Sequence, residues 1–291
     1  MRRRTFLTLA AAAPFFSAPA FAAEFSTPLA FDSAGRPLLN VTLNGQGPFP
    51  MVVDTGAAAT GLSPATIERL ALQETGRARV QGASGVTEVP LYQLASVGVG
   101  GLQRERLHAA VLPNNPSAEG HAGVLGANTF LGARVTYDFA GNAFRVDDGE
   151  ARAPLANAQA VTFRHRTFAF FPVRVNNIEA QAVLDTGARR SVANVELRAA
   201  LGFTENDTRF HDVEDVGGAT THSTNTVGAD IGAITIAGHN YGAFELAFAD
   251  LPVFRQLGLT GGPGLILGMD ILRRARSFTL DYTSGELVLA A

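Results

Sequence analysis

The chain has 291 residues, 46 % of them apolar and 17 % charged, which supplies ample material for a core and excludes a disordered or coiled-coil protein. A formal charge of −3, with no basic stripe interleaved with aromatics, excludes a nucleic-acid binder. The absence of cysteine removes disulfides, thiolate metal sites and a cysteine nucleophile together.

Residues 1–22, MRRRTFLTLAAAAPFFSAPAFA, carry an arginine cluster, an apolar run and a small-x-small end at Ala20-Phe21-Ala22. Arg3-Arg4-Thr5-Phe6-Leu7 resembles the twin-arginine export signal, an ordinary secretory signal being the alternative, and both direct the chain to the periplasm or outside. The run is short and broken by Pro14 and Pro19, so it is not read as a membrane span, and no other apolar run is long enough. Without this segment, 20 basic residues face 26 acidic ones, a formal charge of −6.

The chain then reads as one unit written twice, from about Leu29 to Val146 and from about Val161 to Leu289, giving an N-terminal lobe over 23–150 and a C-terminal lobe over 151–291. VTLNGQGPFPMVVDTGA (41–57) and VRVNNIEAQAVLDTGA (173–188) each alternate, turn at Asn44-Gly45 or Asn176-Asn177, and alternate again into an Asp, a β-hairpin pattern. Short helices are predicted next, over 64–72 and 195–202, followed by Gly-punctuated hairpins at VQGASGVTEV (80–89) and VGGATTHSTN (216–225). Strands then turn at Gly100-Gly101 and at Gly238-His239-Asn240. Each copy reaches an apolar pair capped by glycine, Val124-Leu125-Gly126 and Ile266-Leu267-Gly268. Helical pieces ANTFL and MDILRR come next, and each copy closes on a hairpin, VTYDFAGNAFRV and FTLDYTSGELVL. The copies lie 131 residues apart at Asp54 and Asp185 but 142 apart at the capping glycines, which places eleven extra residues in the second copy, around 249–264. With 31 Gly and 14 Pro marking many turns, the expected fold is all-β with short helices, in two β-barrel lobes.

One Asp-Thr-Gly is an ordinary turn, its Gly conformationally free and its Thr hydroxyl able to bond nearby backbone. Two copies facing each other across a pseudo-two-fold axis make a different object. Asp54 and Asp185 then meet at the axis, and carboxyls roughly 3 Å apart share one proton. The ionised member can take a proton from water while the protonated one donates to a carbonyl oxygen.

The doubled apolar-apolar-Asp-Thr-Gly-Ala, the Gly-bearing hairpins and the second apolar-apolar-Gly resemble the retropepsin-like aspartic proteases, over nearly the whole chain after residue 22. The resemblance implies a single-chain pseudo-dimer in a pepsin-like bilobal arrangement that cleaves an extended peptide without cofactor or metal. It makes Asp54 and Asp185 the catalytic pair and has Thr55 and Thr186 exchange hydrogen bonds across the lobe junction. Gly56 and Gly187 would admit substrate backbone, and the segments around Gly82, Gly85, Gly217 and Gly218 would be flaps. A peptide-binding module or pseudoenzyme on the same fold is the alternative. Intrachain pairing, hence a monomer, is simpler than lobes pairing between chains. The copies differ after DTGA, with Ala58 in one and Arg189-Arg190 in the other, the arginines being read as surface residues.

Other features carry less. The six histidines have no metal-ligand spacing, VGVGG at 97–101 lacks the last Gly of a nucleotide loop, and Ser84 lacks the spacing of a nucleophile elbow. Asp138 and Asp281, in the closing hairpins, read as structural, and Asp270 as a helix-terminal residue.

Overall fold

The computed structural model describes residues 24–82, 85–112, 120–149, 152–165, 167–216 and 226–290. The segment read as an export signal, and Gly217 and Gly218, lie outside the described residues.

Each half starts from the hairpin that carries its Asp. Strand Pro37–Leu43 pairs antiparallel with Gln46–Asp54, and Phe168–Val175 with Ile178–Leu184. Asn44 and Gly45 turn the first with φ of 51° and 73°, the left-handed geometry that Asn-Gly adopts most readily. The Asn44 side chain also accepts from the amides of Ala95 and Ser96, tying the turn to the next strand pair. The second strand of each hairpin then runs parallel to the apolar-apolar-Gly strand, placing Asp54 beside Gly126 and Leu184 beside Leu267. These strands are covered on both sides and read as continuous apolar runs: Met51, Val52 and Val53 are buried, as are Ala182, Val183 and Leu184. The halves build an eight-stranded and a ten-stranded sheet in this way.

The short helices run over Pro64–Arg69 and Val195–Ala200, ending earlier than their apolar pattern predicts. Ser63 and Asn194 cap their N-termini by accepting the amides of Thr66 and Leu197. ANTFL forms one 3₁₀ turn at Ala127–Thr129, and MDILRR a helix at Met269–Leu272. The turn expected over Gly238-His239-Asn240 is tighter, because His239 and Asn240 already pair back on Ile236 and Thr235, leaving Ala237-Gly238 at the corner. The extra residues of the second copy form helix Pro252–Gln256, and Leu251, Phe254, Leu257 and Leu259 bury a small second core with Phe170, Val183, Val192 and Ile266.

The two closing hairpins fuse, which the repeat pattern did not reveal. Strands Arg134–Asp138 and Ser277–Asp281 pair antiparallel with Thr136 opposite Thr279, their hydroxyls 2.8 Å apart. Two like residues facing each other put the pseudo-two-fold axis between them. The result is a six-stranded sheet with strands of both halves, edged by Glu24–Pro28 and Gln159–Ala160. Tyr137 stacks on Phe278 across the seam at 4.2 Å and meets Phe144 edge-on at 4.9 Å. The main core is therefore continuous from Leu29 to Leu289 and belongs to neither half alone. Phe278→Ala should remove about 3–5 kcal/mol of stability, read by urea unfolding, and a loss below about 1 kcal/mol would show that the seam contributes little.

Candidate active site

Each Asp sits where an apolar strand leaves the core. Asp54 is the last residue of its strand, Asp185 the first beyond its own, and both are half-buried. The turns hold the carboxyls from below: Gly56 N–H donates to Asp54 Oδ1 at 2.8 Å, and the amides of Gly187 and Ala188 donate to Asp185 Oδ1 at 2.9 and 3.0 Å.

Behind the turns, Thr55 and Thr186 are buried and interlocked. Thr55 N–H donates to Thr186 Oγ1 at 3.1 Å and Thr186 N–H to Thr55 Oγ1 at 3.0 Å. Each hydroxyl then donates to the strand of the other half, Thr55 Oγ1 to the Leu184 carbonyl at 2.9 Å and Thr186 Oγ1 to the Val53 carbonyl at 2.7 Å. Serine could supply the same hydroxyl, but the branched Thr adds a methyl that packs in the junction and stiffens χ1.

The lock brings the carboxyls of Asp54 and Asp185 close enough for each to shift the other's titration. Each also lies against the glycine of the opposite turn. A Cβ on Gly56 would stand 2.4 Å from Asp185 Cγ, and one on Gly187 2.3 Å from Asp54 Cγ. The glycines were expected to admit substrate backbone, but the geometry supplies a nearer reason: any side chain there would displace the opposite carboxyl.

Burial pushes both carboxyls above the usual value of 3.8. For Asp54 it outweighs the opposing hydrogen bonds from Asp185 and the Gly56 amide and the field of Arg36. Asp185 rises well above it, through burial first and the neighbouring Asp54 charge second. Two acids this close titrate as a pair, so between the two steps one proton is shared.

Two residues beside the dyad were not singled out in the sequence. Tyr137, in the fused sheet, and Tyr282, in the turn just after strand Ser277–Asp281, are buried, both hydroxyls raised by burial and both within the field of Asp54. Tyr137 reaches toward Thr186 without an aligned hydrogen bond. Between the two closing hairpins Tyr282 aligns with the aromatic Phe139, but Tyr137 aligns with Leu280, so the sequence signals only Tyr137 as out of pattern. A second duplicated network buttresses the turns. Thr60 Oγ1 takes the Gly126 amide and approaches Asn128, while Ser191 Oγ takes the Gly268 amide and donates to Asp270. Asp270 is thus in the first turn of helix Met269–Leu272.

Gly82 and Gly85 face each other at the end of hairpin Glu74–Gly82/Gly85–Val99, whose first strand is an edge of the eight-stranded sheet. Asp138 and Asp281 lie in ion pairs with Arg145 at 2.7 Å and Arg134 at 2.9 Å. Among the described residues no group of three His, Cys, Asp or Glu could hold a metal ion, and no helix is long and apolar enough to cross a membrane.

Two stretches of the chain, residues 39–129 and 171–271, match one family model, described as Aspartyl protease. Each stretch contains one Asp-Thr-Gly and one capping glycine. No curated protein matches the chain.

Thr186→Val tests the lock, since it strands the Thr55 amide and removes the donor to the Val53 carbonyl. The loss should be about 1–3 kcal/mol for each stranded group, measured by urea unfolding, with Thr186→Ser recovering most of it. Equal stability of the Val and Ser variants would show that the hydroxyl is not what holds the junction.

Proposed function

The chain belongs to the aspartyl protease family, matched twice along its length, and from that premise we propose that it is an endopeptidase working through Asp54 and Asp185. The observation that carries the reading is the pair of carboxyls held in contact by reciprocal Thr bonds between two copies of one unit. The ionised carboxylate takes a proton from a water between the pair, and that water's oxygen attacks the peptide carbonyl carbon. The protonated carboxyl donates to the carbonyl oxygen, giving a neutral gem-diol without a covalent enzyme adduct. A proton then passes to the departing nitrogen as the C–N bond breaks. The substrate is an extended peptide lying across the junction of the two halves.

Val86 supports a covering role for hairpin 74–99: it comes directly after Gly85 at the tip and, among the described residues, is the large apolar side chain left exposed, at 47 %. An apolar tip in water is stabilised when a peptide covers it. Residues 1–22 support export of the chain, and the intrachain pairing of the two Asp turns supports a monomer.

Asp54→Asn and Asp185→Asn should each lower peptide cleavage by at least about 10²–10⁴-fold while retaining the fold. Two folded variants that cut like the wild type would end the dyad reading, and tight peptide binding without any cleavage would leave a binding module.

The raised carboxyls also set a stability trend. A group whose folded pKa lies above its unfolded value contributes stability that is full below the unfolded value and is lost as pH rises through the folded one. Asp185 is such a group, with the unfolded value near 3.8. Asp185→Asn should therefore raise Tm at neutral pH, with the gain shrinking toward pH 3. A variant less stable than wild type at neutral pH and unchanged by acid would contradict the assignment.

A further inference from the structure

The two catalytic turns are alike, but the residues just beyond them differ. Arg189 and Arg190 succeed the second turn where Ala58 and Ala59 succeed the first. Arg189, Arg190, Phe244, Glu245, Asp270 and Arg274 line a cavity of about 260 Å³. The positions that correspond in the first half by the 131- and 142-residue offsets are Ala58, Ala59, Asn128 and Gly132, none charged. The three arginines and Asp270 therefore have no charged counterparts across the axis.

Its walls are fixed. The Met269 amide donates to the Ala188 carbonyl at 2.9 Å and the Asp270 amide to the Arg189 carbonyl at 3.2 Å. Gly268 packs so closely that a Cβ there would lie 2.6 Å from the carbonyl carbon of Arg190. The arginine backbone is thus clamped to the same strand-helix corner that supports the catalytic turn.

Its charge is cationic. Three guanidiniums face two carboxyls, and burial pushes one of these, Asp270, toward its neutral form. Arg274 gives Nη1 and Nε to the backbone carbonyls of Tyr241, Ala243 and Asp270, its charge reaches the Asp270 carboxyl, and among the described residues it forms no ion pair within 4.0 Å. Arg190 Nη1 is buried 3.2 Å from Glu245 Oε1 but not aligned for a hydrogen bond, and Glu245 also holds His211 at 2.9 Å. Arg189 pairs with Glu214 in the open, where solvent makes an ion pair easy to exchange. A buried N–H without an aligned acceptor, beside a guanidinium that closes no ion pair, is a place for one more anion.

We propose that this cavity is a one-sided subsite for a carboxylate of the peptide substrate. The inference rests on the proteolytic reading above and deepens it. Arg189 and Arg190 are four and five residues beyond Asp185, so their backbone lies within about 18 Å of it. An extended peptide crossing the dyad would thus present the carboxylate within about five residues of the scissile bond. The ligand is an Asp or Glu side chain, or the carboxylate that ends the peptide. In a cleft built from two copies of one unit, a cationic anchor on one half also sets the direction in which the peptide lies.

The test uses one fluorogenic peptide series carrying Glu, Gln or Lys in turn at each of five positions on either side of the cut. A parallel series ends at those positions in a free carboxylate or an amide. Each is assayed with wild type, Arg190→Gln and the exposed Arg274→Gln, scoring the Glu-to-Gln ratio within each protein so that general losses cancel. Wild type should favour the carboxylate about tenfold in kcat/KM at positions on one side only, through KM, and each Arg variant should bring the ratio near one. A preference confined to the free-carboxylate series would place the site at the peptide end. No preference above twofold, or one that survives both substitutions, overturns the proposal. The same peptides are also titrated for binding by fluorescence anisotropy. Carboxylate-dependent binding that both Arg variants abolish, in a protein that never cleaves, would reject the hydrolytic reading and keep the subsite, whereas equal binding of Glu and Gln peptides would reject the subsite.

Discussion

Two threonines, Thr55 and Thr186, reach across the junction, take each other's amides and donate to the strand from which the other's half approaches. Buried hydrogen bonds of this kind leave no slack, because every atom displaced becomes an unsatisfied polar group in an apolar surround. The exchange thereby sets where each turn sits relative to the other. With the turns fixed, the two carboxyls have no room to part, and each fills the space that a side chain on the opposite glycine would need. Burial raises both carboxyls, and the sharing of a proton between them, with the chemistry proposed for it, depends on this placement.

The fused sheet does the same work at larger scale. Pairing of Arg134–Asp138 with Ser277–Asp281 gives the halves a common floor, and the Tyr137–Phe278 stack makes their core continuous. A hinge between separately cored lobes would let the dyad open with each thermal fluctuation. Here the aromatic seam and the Thr exchange would have to yield together. The halves are therefore joined at the dyad as one preorganised unit, as the proposed hydrolysis would require.

Symmetry ends where the substrate would begin. The turns, the locks and the hydroxyl-to-glycine buttresses at Thr60 and Ser191 are duplicated, whereas the residues beyond them differ in charge and the second half carries its own small core around Phe254. Duplication preserves what must be complementary about the axis. Positions beyond the contact are released from that constraint and are free to differ between the halves.

Much of this was legible in the chain. The repeated VVDTGA and VLDTGA, the hairpin before each and the capping glycine after each depend on local geometry and short-range alternation, so the order of residues carries them directly. The unpaired strand patterns of the two closing hairpins also showed, but their union did not, because nothing local in VTYDF or FTLDY says which strand will lie beside it. The extent of the helices, the tighter turn at Ala237-Gly238 and the buried Tyr137 and Tyr282 likewise emerged only in the fold. The sequence by itself determined that two acidic turns exist and that they are copies. Tertiary structure alone decided that they touch, that their glycines are there for each other's carboxyls, and that three arginines gather on one side, because contact across 131 residues is set by packing and not by spacing.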